Sequence, residues 1–550
     1  MPPATVVVSG SVSFDRIPVV AGSNGGLDYA ATGPAPAQGV TVEFIEGDPL
    51  MSNSGAFSTT STDAAGRFSL QVPSATSGFL RVRAEMVSAG QPGWDVAVVD
   101  NTNLDALYAL DGAVFDTGDR DSVRDLHAGS GWTGAGYGGE RAAAPFAILD
   151  TIRKGMDLLV SVDSTIVLSP LALHWSVDNI PSPASGGVNT ATGEIVTTFF
   201  SEVLGGVYVL GAENSDTDEY DEHVLLHEWA HYLEAEFARS DTIGGPHALG
   251  DVLDLRVAFS EGWANAFAAI ATNESLYRDA LGPAQGAAPA FDVEGSPLPI
   301  GNPAPGWFSE QSVHEMLFDL FDAAADGADA LELGFGPVFA VLGSGLNESS
   351  PPISIFSFIA LLKAAETAAV PSIDAIVTAQ SMDPVADIWG TGETNDAGAQ
   401  FSSDVLPVFT ELTPNGPAIN VCSTDEFSSA ASGLVNKLAT RRLVRFDMPT
   451  AGDIEISMTA TSIPAGEASD PDFVLHRAGR LEASESAPTA ACSNVAAAGW
   501  SPADCSEVST FAVEAGAHVI EAYEFSNTQS FGSAVTPIGR TCFDISVTIQ

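Results

Sequence analysis

Residues 220–237 read YDEHVLLHEWAHYLEAEF, and inside them stands His227-Glu228-Trp229-Ala230-His231. On a helix, side chains four apart lie one turn above each other, so both imidazoles face one way and can share a metal ion. The helix is supported independently of the histidines. Leu226, Ala230, Leu233 and Phe237 form an apolar stripe beside them, and Asp221 stands where a cap is expected. His223, one turn earlier, is expected on the helix surface.

A zinc site built on such a pair needs a third protein ligand and one position left open. Thirty residues after His231 comes FSEGWANAFAAI, in which Glu261 opens a predicted helix over 259–272 and Asn265 follows one turn later. Further helices are predicted over 141–160, 310–325 and 355–367, with strands LALHWSV, GEIVTTFF and GGVYVLG between the first of these and residue 221.

The pair of histidines with a downstream glutamate resembles the gluzincin peptidases, in particular the fungalysin and thermolysin groups. That resemblance implies Zn2+ held by His227, His231 and Glu261, with Glu228 as the general base that takes a proton from water and delivers it to the leaving amine. It implies a protein or peptide substrate and an endopeptidase. Those groups usually carry an aspartate where this chain has Asn265, so the hydrogen bond expected to orient a ligating imidazole would come from a neutral amide. Nothing here resembles the Gly-x-Met-Glu-Asn segment by which related aminopeptidases hold a substrate's amino terminus, which leaves an exopeptidase as the alternative on the same scaffold. An inert zinc fold serving as a binding module is the other alternative, opposed by the intact Glu228.

The strand 205–211 falls where zincins offer an unpaired sheet edge, so Gly206, Val207 and Tyr208 are expected to pair with a peptide's backbone. For the donor that stabilises the oxyanion, His314 is the first candidate, ahead of His247 and Tyr277. The acidic cluster NSDTDEYDE offers oxygens for Ca2+ but lacks the spacing of a calcium loop, so solvation and helix capping are its expected role. Asp470 and Asp472 are read the same way.

Outward from this centre, residues 9–87 alternate in period two as SGSVSFD, GVTVEFIEG, GRFSLQV and FLRVRAE, separated by turn residues. PAPAQGVTVEF and TDAAGRFSLQVP resemble the carboxypeptidase regulatory-like, prealbumin-type domains of secreted bacterial enzymes. From about residue 415 strands return, and DPDFVL with VEAGAHVIEAYEF resembles pre-peptidase C-terminal domains. The expected architecture is therefore multidomain: an α+β zincin catalytic domain over 131–412, flanked by two all-β sandwiches over 1–130 and 413–550.

Of 550 residues, 45% are hydrophobic and 17% charged, a globular balance, and no apolar run reaches the length of a membrane span. The net charge is −51, from 71 acidic against 20 basic side chains, which excludes nucleic acid and anionic membranes as partners. It also suggests a saline habitat. All four cysteines lie in the last quarter, none in a CxxC pair, so disulfides are expected. The nested pairing Cys422–Cys542 with Cys492–Cys505 is favoured among three connectivities. The opening MPPATVVVSG carries neither a basic leader nor an apolar stretch, so the expected secretion requires a signal already removed.

Overall fold

A computed structural model describes residues 4–22, 25–50, 55–181, 188–295, 305–323, 331–429, 432–484, 506–529 and 535–550. The chain is mixed α/β, with several extended sheets and few helices. It divides into two compact units, one of Met1–Glu236 with Phe267–Asp292 and the other of Phe237–Ala266 with Val293–Gln550.

In the first unit, the period-two stretches become strands β1 (Thr5–Arg16), β2 (Val40–Glu46), β3 (Ser58–Ser61), β4 (Arg67–Pro73), β5 (Ser77–Ala89) and β6 (Gly93–Asp100). β4 shows why: Phe68, Leu70 and Val72 are buried while Arg67, Ser69 and Gln71 are exposed, as a pleated ribbon with one wet face requires. β1 pairs antiparallel with β4, from Thr5 opposite Pro73 to Ser11 opposite Arg67. After these come β7 (Leu171–Trp175), β8 (Phe199–Ser201) and β9 (Gly206–Val209). A ten-stranded sheet runs in the order β8-β9-β7-β6-β5-β2-β3, with shorter strands pairing off this path. The sheet crosses the boundary expected near residue 130, because β6 and β7 pair in parallel with Val96 opposite Leu171.

Helix α1 (Ala144–Val162) starts with Pro145, whose fixed backbone angle suits a first turn and whose missing N–H costs nothing there. Gly155 lets it meet α2 (Glu222–Phe237) at close range: a Cβ at that glycine would lie 2.2 Å from the Trp229 ring and 3.1 Å from Leu226. The face of α2 carrying Leu225, Leu226, Trp229 and Leu233 is wholly buried. Asp221 does not serve as the expected cap, since its Oδ2 instead accepts from the Ala280 backbone N–H at 3.0 Å.

Helix α3 (Leu255–Thr272) begins four residues earlier than its apolar pattern suggests, because Asp254 supplies the start signal by accepting from the Arg256 N–H at 3.0 Å. In the second unit, α4 (Glu310–Phe321) is capped by Ser309, and α5 (Phe335–Ala340), α6 (Ile355–Ala365) and α7 (Val370–Ala379) follow. Gly262 of α3 faces α4, where a Cβ would lie 2.5 Å from Val313.

The C-terminal strands are β10 (Ile419–Ser423), β11 (Arg441–Met448), β12 (Gly452–Ser462), β13 (Pro471–Arg477), β14 (Ser506–Val513), β15 (Gly516–Glu524) and β16 (Thr541–Ile549). A four-stranded sheet in the order β10-β16-β12-β14 and a five-stranded sheet containing β11-β15-β13 share one core. Phe446, Ile456, Phe473, Ile520 and Phe543 sit inside it. Cys422 on β10 and Cys542 on β16 are opposite in register and disulfide-bonded, as the nested pairing expects. Cys492 and Cys505 lie outside the described residues. Among the described residues no helix is long and apolar enough to cross a membrane.

Candidate metal centre

The four-residue spacing on α2 does what helical geometry demands. The His227 and His231 rings are 4.9 Å apart between centroids, nearly perpendicular, with their Nε2 atoms 3.2 Å from each other. Two nitrogens bound to one tetrahedral zinc at about 2.0–2.1 Å stand about 3.3–3.4 Å apart, so the pair already has the spacing of two ligands on one ion. Glu228, between them in sequence, accepts from the Phe200 backbone N–H of β8 at 2.8 Å through Oε2. On the same helix, Glu234 places Oε2 3.9 Å from Nδ1 of His231, with the carboxylate almost wholly buried. That is longer than a hydrogen bond but on the side of the ring where a carboxylate raises a ligand's basicity. Its spacing of three residues from His231 was the signal that could have pointed to it.

Among the described residues, two groups of side chains that each lie within one unit could hold a metal ion, with ligand atoms within 4.8 Å of one another: His247, Glu261 and Glu310 in the second unit, and Asp216, Asp218 and Asp279 in the first. The two imidazoles on α2 are nitrogen ligands of a type that divalent transition metals accept. Glu261 belongs to the first of these sets, where His247 Nε2 stands 3.3 Å from Glu261 Oε2 and 3.5 Å from Glu310 Oε2. Asn265 is buried one turn beyond Glu261 on α3.

The remaining candidates fall out differently from the sequence expectation. His314 has no exposed surface, and burial pushes its imidazole down to about 3, so it is a neutral core side chain that meets no substrate in water. The apolar stripe of α4 predicted that burial better than the resemblance predicted a catalytic role. His223 is buried rather than on the surface. It reaches the Glu274 carbonyl at 3.0 Å and the Thr272 hydroxyl at 3.2 Å, and burial lowers its pKa.

Tyr277, by contrast, comes next to the histidines. Its ring lies 6.2 Å from that of His227, edge to face, and stacks on Phe291 at 4.7 Å. Burial, with the carboxylates of Asp279 and Glu228 nearby, pushes its phenol well above the ordinary value, so it keeps its proton at neutral pH.

Gly206, Val207 and Tyr208 do not form an edge. β9 is hydrogen-bonded on both sides, parallel to β7 and antiparallel to β8, and all four of its residues are buried. The end of the sheet is β8 instead. A continuous apolar run such as GVYV is the pattern of a strand covered on both faces, which explains the misplacement by one strand.

No family model matches the sequence, and no curated protein matches it. Parts of the chain are similar to solved structures. These include the pre-peptidase C-terminal domain of a collagenase from Bacillus anthracis, at 13% identity over 25% of this chain and 93% of that one, with a TM-score of 0.15. The precursor of protealysin, a metalloproteinase from Serratia proteamaculans, is similar at 11% identity over 54% of this chain and 88% of that one, with a TM-score of 0.31. A surface-associated copper-binding protein from Methylomicrobium album BG8 is similar at 12% identity over 26% of this chain and 98% of that one, with a TM-score of 0.17.

Proposed function

We propose that this chain is a secreted zinc-dependent endopeptidase whose metal is held by His227, His231 and Glu261. The observation that carries the reading is the 3.2 Å separation of the two Nε2 atoms on α2, with Glu228 presented from the same helix. When bound, zinc supplies Lewis-acid polarisation of a carbonyl and lowers the pKa of water beside it to about 7.

The chain's own residues do the rest. Glu228 is the general base: its carboxylate takes the proton of the attacking water and passes it to the departing amine. The Phe200 N–H that it accepts from in the resting protein fixes its orientation. Tyr277, kept protonated, is the donor for the developing oxyanion in place of His314. β8, at the end of the sheet, offers its outer backbone to an extended peptide, a mode that gives affinity with little side-chain selection. The Cys422–Cys542 disulfide supports an oxidising, extracytoplasmic setting.

Glu228→Gln tests the mechanism. One zinc per chain should remain while peptide hydrolysis drops by about 10²–10⁴-fold. Undiminished hydrolysis rejects it. A wild-type protein that holds zinc yet cuts no member of a mixed peptide library would be a binding module, and mass spectrometry of products from an active one separates internal cutting from terminal trimming.

A further inference from the structure

In the second unit, the irregular loop 244–251 ahead of α3 is fixed by a segment far away in sequence, the connection 432–438 between β10 and β11. Asn436 Nδ2 donates to the Gly244 carbonyl at 2.9 Å. Lys437 Nζ donates to the Pro246 carbonyl at 3.2 Å and pairs with Asp251 Oδ2 at 3.3 Å. The Ser432 hydroxyl donates to the same carboxylate. Backbone bonds close the seam: the Leu438 N–H donates to the Val252 carbonyl at 3.0 Å, and the Asp254 N–H to the Asn436 carbonyl at 2.9 Å. Asn436 and Lys437 have no exposed surface. Gly245 sits at φ +97°, and a Cβ there would stand 2.8 Å from Val435, so loop and connection meet where a side chain would not fit.

The loop so held carries one imidazole to two carboxylates. His247 Nε2 faces Oε2 of Glu261 on α3 and Oε2 of Glu310 on α4, at 3.3 and 3.5 Å, while Nδ1 lies 3.4 Å from the Gly245 carbonyl. Oxygens on both sides of the ring give it one preferred orientation. Both carboxylates are buried, and a buried carboxylate takes its direction from the groups that face it. When such a carboxylate also ligates a metal, the partner of its other oxygen tunes how well it does so.

We propose that the connection 432–438 is a working part of the metal centre: it locks the loop 244–251, which holds His247 against Glu261 and so sets the direction in which Glu261 meets the metal. His247, Asn436 and Lys437 are then positioning residues. The role rests on the peptidase reading, in which Glu261 is the third zinc ligand. It makes the C-terminal strands more than an appended module, since one of their connections governs how tightly the metal is held.

The test is zinc affinity of the full chain, measured by competition with a chromophoric chelator, together with hydrogen exchange over residues 244–252. His247→Ala should weaken zinc binding about 10–100-fold, and His247→Gln, which keeps a donor, should recover most of that loss. The His247 side chain is 28% exposed, so both variants should melt close to wild type when zinc-free, which separates loss of the contact from loss of the fold. Asn436→Ala should weaken zinc binding as well and speed exchange in the loop. Combined with His247→Ala it should cost no further affinity, because the connection acts through that ring. A wild type that binds no zinc overturns the peptidase reading and the positioning role with it. A wild type that binds zinc, with His247→Ala binding it as tightly, overturns the positioning role alone, as does a double variant whose loss is the product of the single losses. Two zinc ions per wild-type chain and one in Glu310→Gln would make His247, Glu261 and Glu310 ligands of an ion of their own, and would overturn it too.

Discussion

Gly155→Ala sets two effects of opposite sign against each other. In the middle of α1 an alanine is a better helix former than glycine by about 1 kcal/mol, so propensity alone predicts a more stable protein. The structure predicts the reverse. The new methyl would stand 2.2 Å from Cζ3 and 2.6 Å from Cε3 of Trp229, more than 1 Å inside ordinary contact. The indole cannot turn away, because it has no exposed surface and packs against Phe267 at 5.6 Å and Tyr232 at 6.3 Å. α1 and α2 must then separate, at an overpacking cost of about 1–3 kcal/mol. The net expectation is a loss of up to about 2 kcal/mol in urea unfolding and, on the proposed reading, weaker zinc retention, because Trp229 lies between the two histidines on α2. A double-mutant cycle with Trp229→Leu should show favourable coupling of about 1 kcal/mol. An alanine variant more stable than wild type by the full propensity gain of about 1 kcal/mol would refute the close packing of the two helices.

Tyr277→Phe should lower kcat by about 10²–10³-fold with KM and zinc content little changed, as loss of an oxyanion donor does; equal losses in binding and turnover would argue for a structural role. The buried Arg256 bonds Asp254 at 2.8 and 2.9 Å and Glu521 at 2.6 Å, so Glu521→Gln should destabilise the second unit by about 3–5 kcal/mol. Burial alone would raise the Glu521 carboxyl, but Arg256, His476 and Arg441 outweigh it and hold it well below the usual range. Its contribution is thus present above the unfolded carboxylate pKa of about 4.3 and lost as pH falls through the depressed folded value, and unfolding curves between pH 6 and pH 2 should show that loss in wild type but not in Glu521→Gln. Replacing Cys422 and Cys542 with alanine opens a loop of 120 residues, for an expected cost of about 4–5 kcal/mol readable in chemical denaturation.

α2 was legible as a helix because its signals are local, although the burial of His223 and the partner of Asp221 were not. A spacing of four brings His227 and His231 together in any helix, and the flanking apolar stripe identifies the buried side. The alternating strands of both β regions were legible for the same reason. The edge was not: whether GVYV or a neighbour ends the sheet depends on which segment pairs outside it, and Phe199–Ser201 is too short to announce itself. His314 shows the limit from the other side. Its place on an apolar helix already spoke for the core, and only the resemblance suggested otherwise.

By itself, then, the sequence determined what depends on the period of a helix or strand: α2 with its paired histidines, Glu228 between them, and the alternation of the sandwich strands. Tertiary structure decided which groups far apart in the chain meet. It brought Tyr277 beside His227 and Asp279 beside Asp218, carried one sheet across residue 130, and enclosed His314. The reason is that hydrogen-bond periodicity is written in neighbouring residues, whereas burial and the meeting of charges depend on how whole elements pack, which no short window of sequence contains.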